Sequence, residues 1–270
     1  MMYKKHNRRA QELFLSYPYV IWTMRRTGGT TLASLLSTLS EHTGIQHEPF
    51  NTERIYGHIS GAFAQTGDIA QLRADLHASL GKTPLVKHCH ELMSPAFNEV
   101  LLEVSTALGY RHIILDRHSE ADRIISLELA YLTGAWGSDA AQKIYPAIEA
   151  GEIVLDPLNI QRAVQHTRQC MTRRQELAKM MDAAGLSPFV VYFEDVYSDP
   201  KAGRLLIKRL LAFLEIQIND PVAYDKLVDD ALLRRGQKSA RILQAVPNAA
   251  VAKQELEAML RTQAPVFRAS

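Results

Sequence analysis

Cysteine is nearly absent. Cys89 and Cys170 are the only two in 270 residues, and they form neither a disulfide framework nor a C-x-x-C metal motif, which points to a reducing compartment. An excess of one charge is lacking too. Lys and Arg number 31 against 29 Asp and Glu, a formal net charge of +2. That balance excludes the broad basic footprint of a general nucleic-acid binder but leaves room for a local basic pocket. No apolar run reaches the roughly 18 residues that a membrane-spanning helix needs. Residues 1–15 form a basic, polar N-terminal extension (Lys4, Lys5, Arg8, Arg9) without the apolar centre of a signal peptide. The expectation is a soluble, cytoplasmic protein. Its length suits one α/β domain over residues 1–270, without internal repeats or low-complexity linkers.

What is present is an alternation of short apolar runs and longer helical patterns. Strands are expected at Tyr19–Met24, Leu85–Cys89, His112–Leu115 and Phe189–Phe193. Helices are expected at Thr30–Leu39, Ile69–Leu80, Pro95–Leu108, Glu120–Leu132 and Pro200–Leu214. The stretch 139–184 reads as helical with a break near Asp156-Pro157, and 220–259 as helical with interruptions near Gly236 and Pro247. Near-continuous apolar strands between helices imply a parallel sheet covered on both faces, with ligands beyond the carboxyl ends of the strands. The polar residues do follow those ends: a glycine turn, His88-Cys89-His90-Glu91, Asp116-Arg117-His118-Ser119 and Glu194-Asp195.

The glycine turn, Arg25-Arg26-Thr27-Gly28-Gly29-Thr30-Thr31, joins the first strand to the first helix. Backbone N–H groups at a helix start, with the helix dipole behind them, make an anion cradle. Gly28 and Gly29 permit close approach of an oxyanion, the threonines add hydroxyls and Arg26 a forked cation. The turn is not G-x-x-x-x-G-K-[ST], so the lysine of nucleotide triphosphatases is missing.

Arg26-Thr27-Gly28-Gly29-Thr30-Thr31-Leu32 resembles the 5′-phosphosulfate loop of sulfotransferases that use 3′-phosphoadenylyl sulfate (PAPS). Ile113-Ile114-Leu115-Asp116-Arg117 followed by Ser126 resembles the strand and helix that meet the nucleotide 3′-phosphate in that family, with Ser119 a competing hydroxyl. The segment Val190 to Pro200 is similar to its "YEDL…DP" strand–turn–helix, with Phe193 inserted between Tyr192 and Glu194, and is read as structural. Leu233-Arg234-Arg235-Gly236 is similar to the family's R-K-G triplet, which places Arg235 and Gly236 over the 3′-phosphate. The resemblance implies a P-loop-NTPase-like central parallel sheet flanked by helices on both faces, with a helical C-terminal part. It also implies PAPS as co-substrate, 3′,5′-ADP as product, no metal, and a hydroxyl acceptor that is a carbohydrate, a lipid or a small molecule. Independently, Arg-bearing anion sites at the ends of separate strands suit a nucleoside with phosphates at both ends.

Two choices stand for the group that takes the acceptor's proton. Glu48, in Gln46-His47-Glu48-Pro49, matches the position at which a Glu meets the acceptor in the carbohydrate-sulfating branch. Lys87, His88 and His90 lie in a segment similar to the "VKTH" strand of the cytosolic branch. A histidine titrates near neutrality, whereas Glu48 would need desolvation to raise its pKa. Glu48 is preferred, with the histidines kept as substrate-site residues. Trp22 and Phe193 read as core, and Trp136 as a contact to acceptor or adenine or as a lid anchor. The helical region 130–185 is expected near the acceptor. A kinase-like phosphotransferase and a non-catalytic nucleotide-binding protein are the alternatives, and a homo-oligomer is compatible with the exposed helix face in 200–214.

Overall fold

The computed structural model describes residues 16–42, 44–233 and 239–270. The basic extension at residues 1–15 and the expected Arg235 and Gly236 contacts lie outside the described residues. Among the described residues no helix is long and apolar enough to cross a membrane.

Five parallel strands form the central sheet: β1 (Tyr19–Thr23), β2 (Ile45–His47), β3 (Leu85–Cys89), β4 (Arg111–Asp116) and β5 (Phe189–Tyr192), in the order β2-β3-β1-β4-β5. Four of them coincide with the apolar runs to within a residue. Phe193 leaves β5 and opens a short helix instead. β2 is an addition, three half-buried residues without an apolar run to announce them.

Side-chain alternation along the strands sorts the core. Tyr19, Ile21, Leu85, Ile113 and Val191 face one layer, made by α1 (Gly29–Leu39), α9 (Pro200–Leu214) and α10 (Pro221–Leu233). Val20, Trp22, Val86, Ile114 and Val190 face the other, made by α2 (Gly57–Thr66), α3 (Ile69–Leu80), α4 (Pro95–Ala107) and the far half of α7 (Ile160–Ala183). A third apolar cluster gathers around Met24, just past β1. It joins α5 (Glu120–Thr133), α6 (Ser138–Glu149), the near half of α7, α11 (Ser239–Leu243) and α12 (Ala249–Leu260). Local signals fix several starts: Asp68, Ser94, Ser119 and Asn159 each accept an N–H of the helix that follows, with Pro95 at the first position of α4. The third cluster stands over the carboxyl ends of β1 and β4, and it shapes the site.

Candidate functional site

The turn between β1 and α1 sits centrally, with β3 on one side and β4 on the other. Arg26 and Gly28 both have left-handed backbone, φ 65° and 80°. Gly28 is required twice over, because a Cβ there would also run into the Phe193 ring. At Gly29 a Cβ would come to 3.0 Å from Leu115 and 3.4 Å from the Lys87 stem, so the helix start is pressed between β4 and β3. Thr27 is buried and donates its hydroxyl to the Met24 carbonyl at 2.7 Å. It therefore shapes the turn and is not an open donor as expected. Thr30 is exposed and Thr31 half-buried on the first turn of α1.

The two arginines of the turn go different ways. Arg25 donates from Nε to Glu91 at 2.8 Å and from Nη1 to the Tyr131 hydroxyl at 2.8 Å. Burial works against its charge, but Glu91 outweighs burial and raises its pKa. In this structure its side chain holds the turn to Glu91 and Tyr131. Arg26 donates from Nε to Ser126 Oγ at 3.1 Å and from Nη1 to the Trp136 carbonyl at 3.5 Å. Burial lowers its pKa, Tyr145 opposes that, and the charge of Arg117 lowers it further. The charge of Arg117, from the end of β4, is thus felt at Arg26, just after β1.

The same geometry separates the competing serines. Ser126 accepts from Arg26. Ser119 caps α5, exchanging hydrogen bonds with Asp122 through its side chain. Arg117 donates from Nε to Glu194 at 3.2 Å and lies over the Phe193 ring, 4.8 Å from its centroid. Phe193, read from the sequence as core, is half-buried beside both the turn and Arg117.

Lys87 and Glu48 form an ion pair, Nζ to Oε1 2.7 Å, beside the start of α1. Glu48 follows β2 with φ 52°, its N–H bonded to the Lys87 carbonyl and its other carboxylate oxygen to Asn51 at 2.9 Å. Burial pushes its pKa up, but Lys87, with the Cys89 and Asn51 hydrogen bonds, more than reverses the effect, and the net shift is downward, opposite to the rise expected of the base. Glu48 is therefore a paired carboxylate, held ionised by Lys87 and by its Asn51 and Cys89 hydrogen bonds.

The histidines fall elsewhere. Strand parity sends Lys87 toward α1 and His88 to the opposite face, where it packs against Trp22, Phe50 and Phe97 and bonds Asn98 at 2.8 Å. Burial lowers His88 to about 4 and His90 to about 3, so both are neutral core groups. Their expected substrate-site role is not supported by this geometry. Cys89 is buried as well, and burial raises its thiol well above the ordinary range.

Behind the turn lies a buried charge network with almost no signature in the sequence. Arg174 on α7 grips Asp116 at 2.7 Å and Glu120 at 2.6 Å, and fully buried Arg123 grips Glu120 at 2.7 Å. Arg123 also donates to the Arg25 carbonyl at 2.9 Å, which fixes the turn's backbone from below. The i,i+3 spacing of Glu120 and Arg123 was the one local signal for it. Beside the network lies a cavity of about 270 Å³ lined by Arg25, Glu91, His166, Gln169 and Arg173 among others. Exposed Trp136 packs edge-on against Tyr131, 4.9 Å between centroids, close to Arg26.

No family model, curated protein or solved structure matches this chain.

Proposed function

We propose that the protein is a sulfotransferase that moves the sulfuryl group of PAPS to a hydroxyl acceptor, on a P-loop-like α/β fold. The observation that carries this reading is the packing of Arg117 and the glycine turn against one ring, Phe193, at the N-terminal end of α1, with the Lys87–Glu48 pair beside it. In this reading the turn and Lys87 take the phosphosulfate, and Arg117 with Ser126 takes the 3′-phosphate. The acceptor oxygen attacks sulfur, the bond from sulfur to the bridging phosphate oxygen breaks, and its electron pair leaves with 3′,5′-ADP. Charge developing on that oxygen is met by Lys87 and the turn amides, and the acceptor's proton passes to Glu48.

Glu48 is ionised at neutral pH, but its lowered pKa works against basicity, so its claim to the role rests on its position beside Lys87 and the start of α1. The kinase-like alternative asks Asp116 to serve a metal ion, but Asp116 is held at both oxygens by Arg174 at 2.7 and 2.8 Å. Radiolabelled sulfate transfer from PAPS to a panel of hydroxyl acceptors tests the reading. Glu48→Gln should lower turnover by roughly 10²- to 10⁴-fold, the scale of general base catalysis, while 3′,5′-ADP affinity stays near wild type. Transfer undiminished in Glu48→Gln would remove Glu48 from the role.

A further inference from the structure

We infer that Phe193 and Glu194 form a brace that fixes Arg117 relative to the glycine turn, and so sets the spacing between the two anion-binding halves of the site. The ligand side of this inference rests on the nucleotide reading above; the brace itself does not.

The two residues open α8 (Phe193–Tyr197) directly after β5. The Phe193 ring fills the space that a Cβ on residue 28 would need, so it abuts the turn. The Arg117 guanidinium lies over the same ring at 4.8 Å, and the Tyr197 ring backs it at 4.6 Å. Glu194 completes the hold. Its Oε1 accepts from Arg117 Nε at 3.2 Å and from the Ser119 N–H at 3.3 Å, while Oε2 accepts from the His118 N–H at 2.8 Å. One carboxylate thus ties the arginine side chain to the backbone of its own loop.

A guanidinium is a planar fork with distinct edges and faces. Here Glu194 engages Nε and Phe193 covers a face, and among the described residues the Nη groups carry no hydrogen bond. The edge left over is the one suited to a second anion. Because the ring that supports Arg117 also abuts Gly28, the distance between the half-sites is set by packing and not by a mobile side chain. A brace of this kind favours a ligand with two anionic groups at fixed separation over one with a single group, since the ordering of Arg117 precedes binding. The inserted Phe193 is therefore a specificity-determining element and Glu194 a positioning residue.

Calorimetric titration of 3′,5′-ADP and 5′-AMP into wild type, Phe193→Leu and Glu194→Gln tests the ligand side. Each variant should weaken 3′,5′-ADP by about three- to tenfold, the scale of ordering one long side chain, and leave 5′-AMP unchanged. An unaltered ratio of the two affinities, or an equal loss on both, would overturn the inference. The variants attack the brace from independent sides, so if one fails to fold the other decides. The brace is also read without nucleotide, from the Arg117 Nε–H signal in nitrogen-15 spectra. It should exchange slowly in wild type and broaden in Glu194→Gln; a signal already broadened in wild type overturns the brace. A slow signal in a wild type that binds the two nucleotides equally upholds the brace and sinks the bisphosphate reading.

Discussion

Replacing Lys87 by Met should destabilise the protein strongly at neutral pH and little in acid. The side chains of Lys87 and Glu48 are 9 % and 23 % exposed, and their charged atoms are 2.7 Å apart. Met keeps most of the stem that packs near Gly29 but leaves the carboxylate without its cation. Breaking a fully buried pair costs about 3–5 kcal/mol and an exposed pair about 0.2–1 kcal/mol. At this intermediate burial, about 1–3 kcal/mol is expected, which lowers the melting midpoint by roughly 3–10 °C in a chain of this size. The pH dependence follows from the direction of the shift. In wild type the folded Glu48 titrates below the ordinary value of 4.5, so its stabilising contribution is present above that value and lost as pH falls through the folded pKa. In the variant, only the Asn51 and Cys89 hydrogen bonds still oppose burial, so the folded pKa rises relative to wild type and the carboxylate's penalty applies above it and fades below. The gap between the two proteins should be full at pH 7 and narrow toward pH 4. Urea unfolding followed by tryptophan fluorescence measures it, Trp22 being wholly buried. A gap of equal size at both pH values, or none at pH 7, would refute the pairing argument.

Two further predictions follow from the same geometry. Gly28→Ala should cost at least about 1 kcal/mol for left-handed backbone, with an added cost for displacing Phe193, and should weaken 3′,5′-ADP; unchanged melting temperature and affinity would contradict the turn as described. Burial holds His88, His90 and His112 near 4, 3 and 4, against an ordinary 6.5. Their folded pKa values are depressed, so the stability they carry is present above pH 6.5 and lost as pH falls toward those values. Denaturant unfolding at pH 7 and pH 5 should show the decline, and histidine NMR titrations that begin near pH 6.5 would contradict burial.

Much of the fold was legible because its signals are local. Apolar runs such as Tyr19–Thr23 and Leu85–Cys89 declare buried parallel strands, and caps such as Asp68 and Ser94 declare helix starts. β2 was not legible, since three half-buried residues after a glycine at φ 76° bury too little to form a pattern. The places of the glycine turn after β1 and of Arg117 after β4 were legible from the strand pattern. Strand parity could have separated Lys87 from His88, because adjacent residues of β3 face opposite layers. The Arg123–Glu120–Arg174–Asp116 network was not legible as a whole. Its partners stand up to 58 residues apart, and only folding reveals which arginines are spent on carboxylates. The same holds for Arg25 and Arg26, neighbours in sequence with opposite shifts.

The most direct measurement of the central claim is calorimetric titration of 3′,5′-ADP with magnesium absent, set against 5′-AMP and against ATP with magnesium. 3′,5′-ADP should bind without metal and more tightly than 5′-AMP, and Arg117→Ala should remove the difference while leaving 5′-AMP binding intact. Tight binding of ATP with magnesium, together with no binding of 3′,5′-ADP, would contradict the claim.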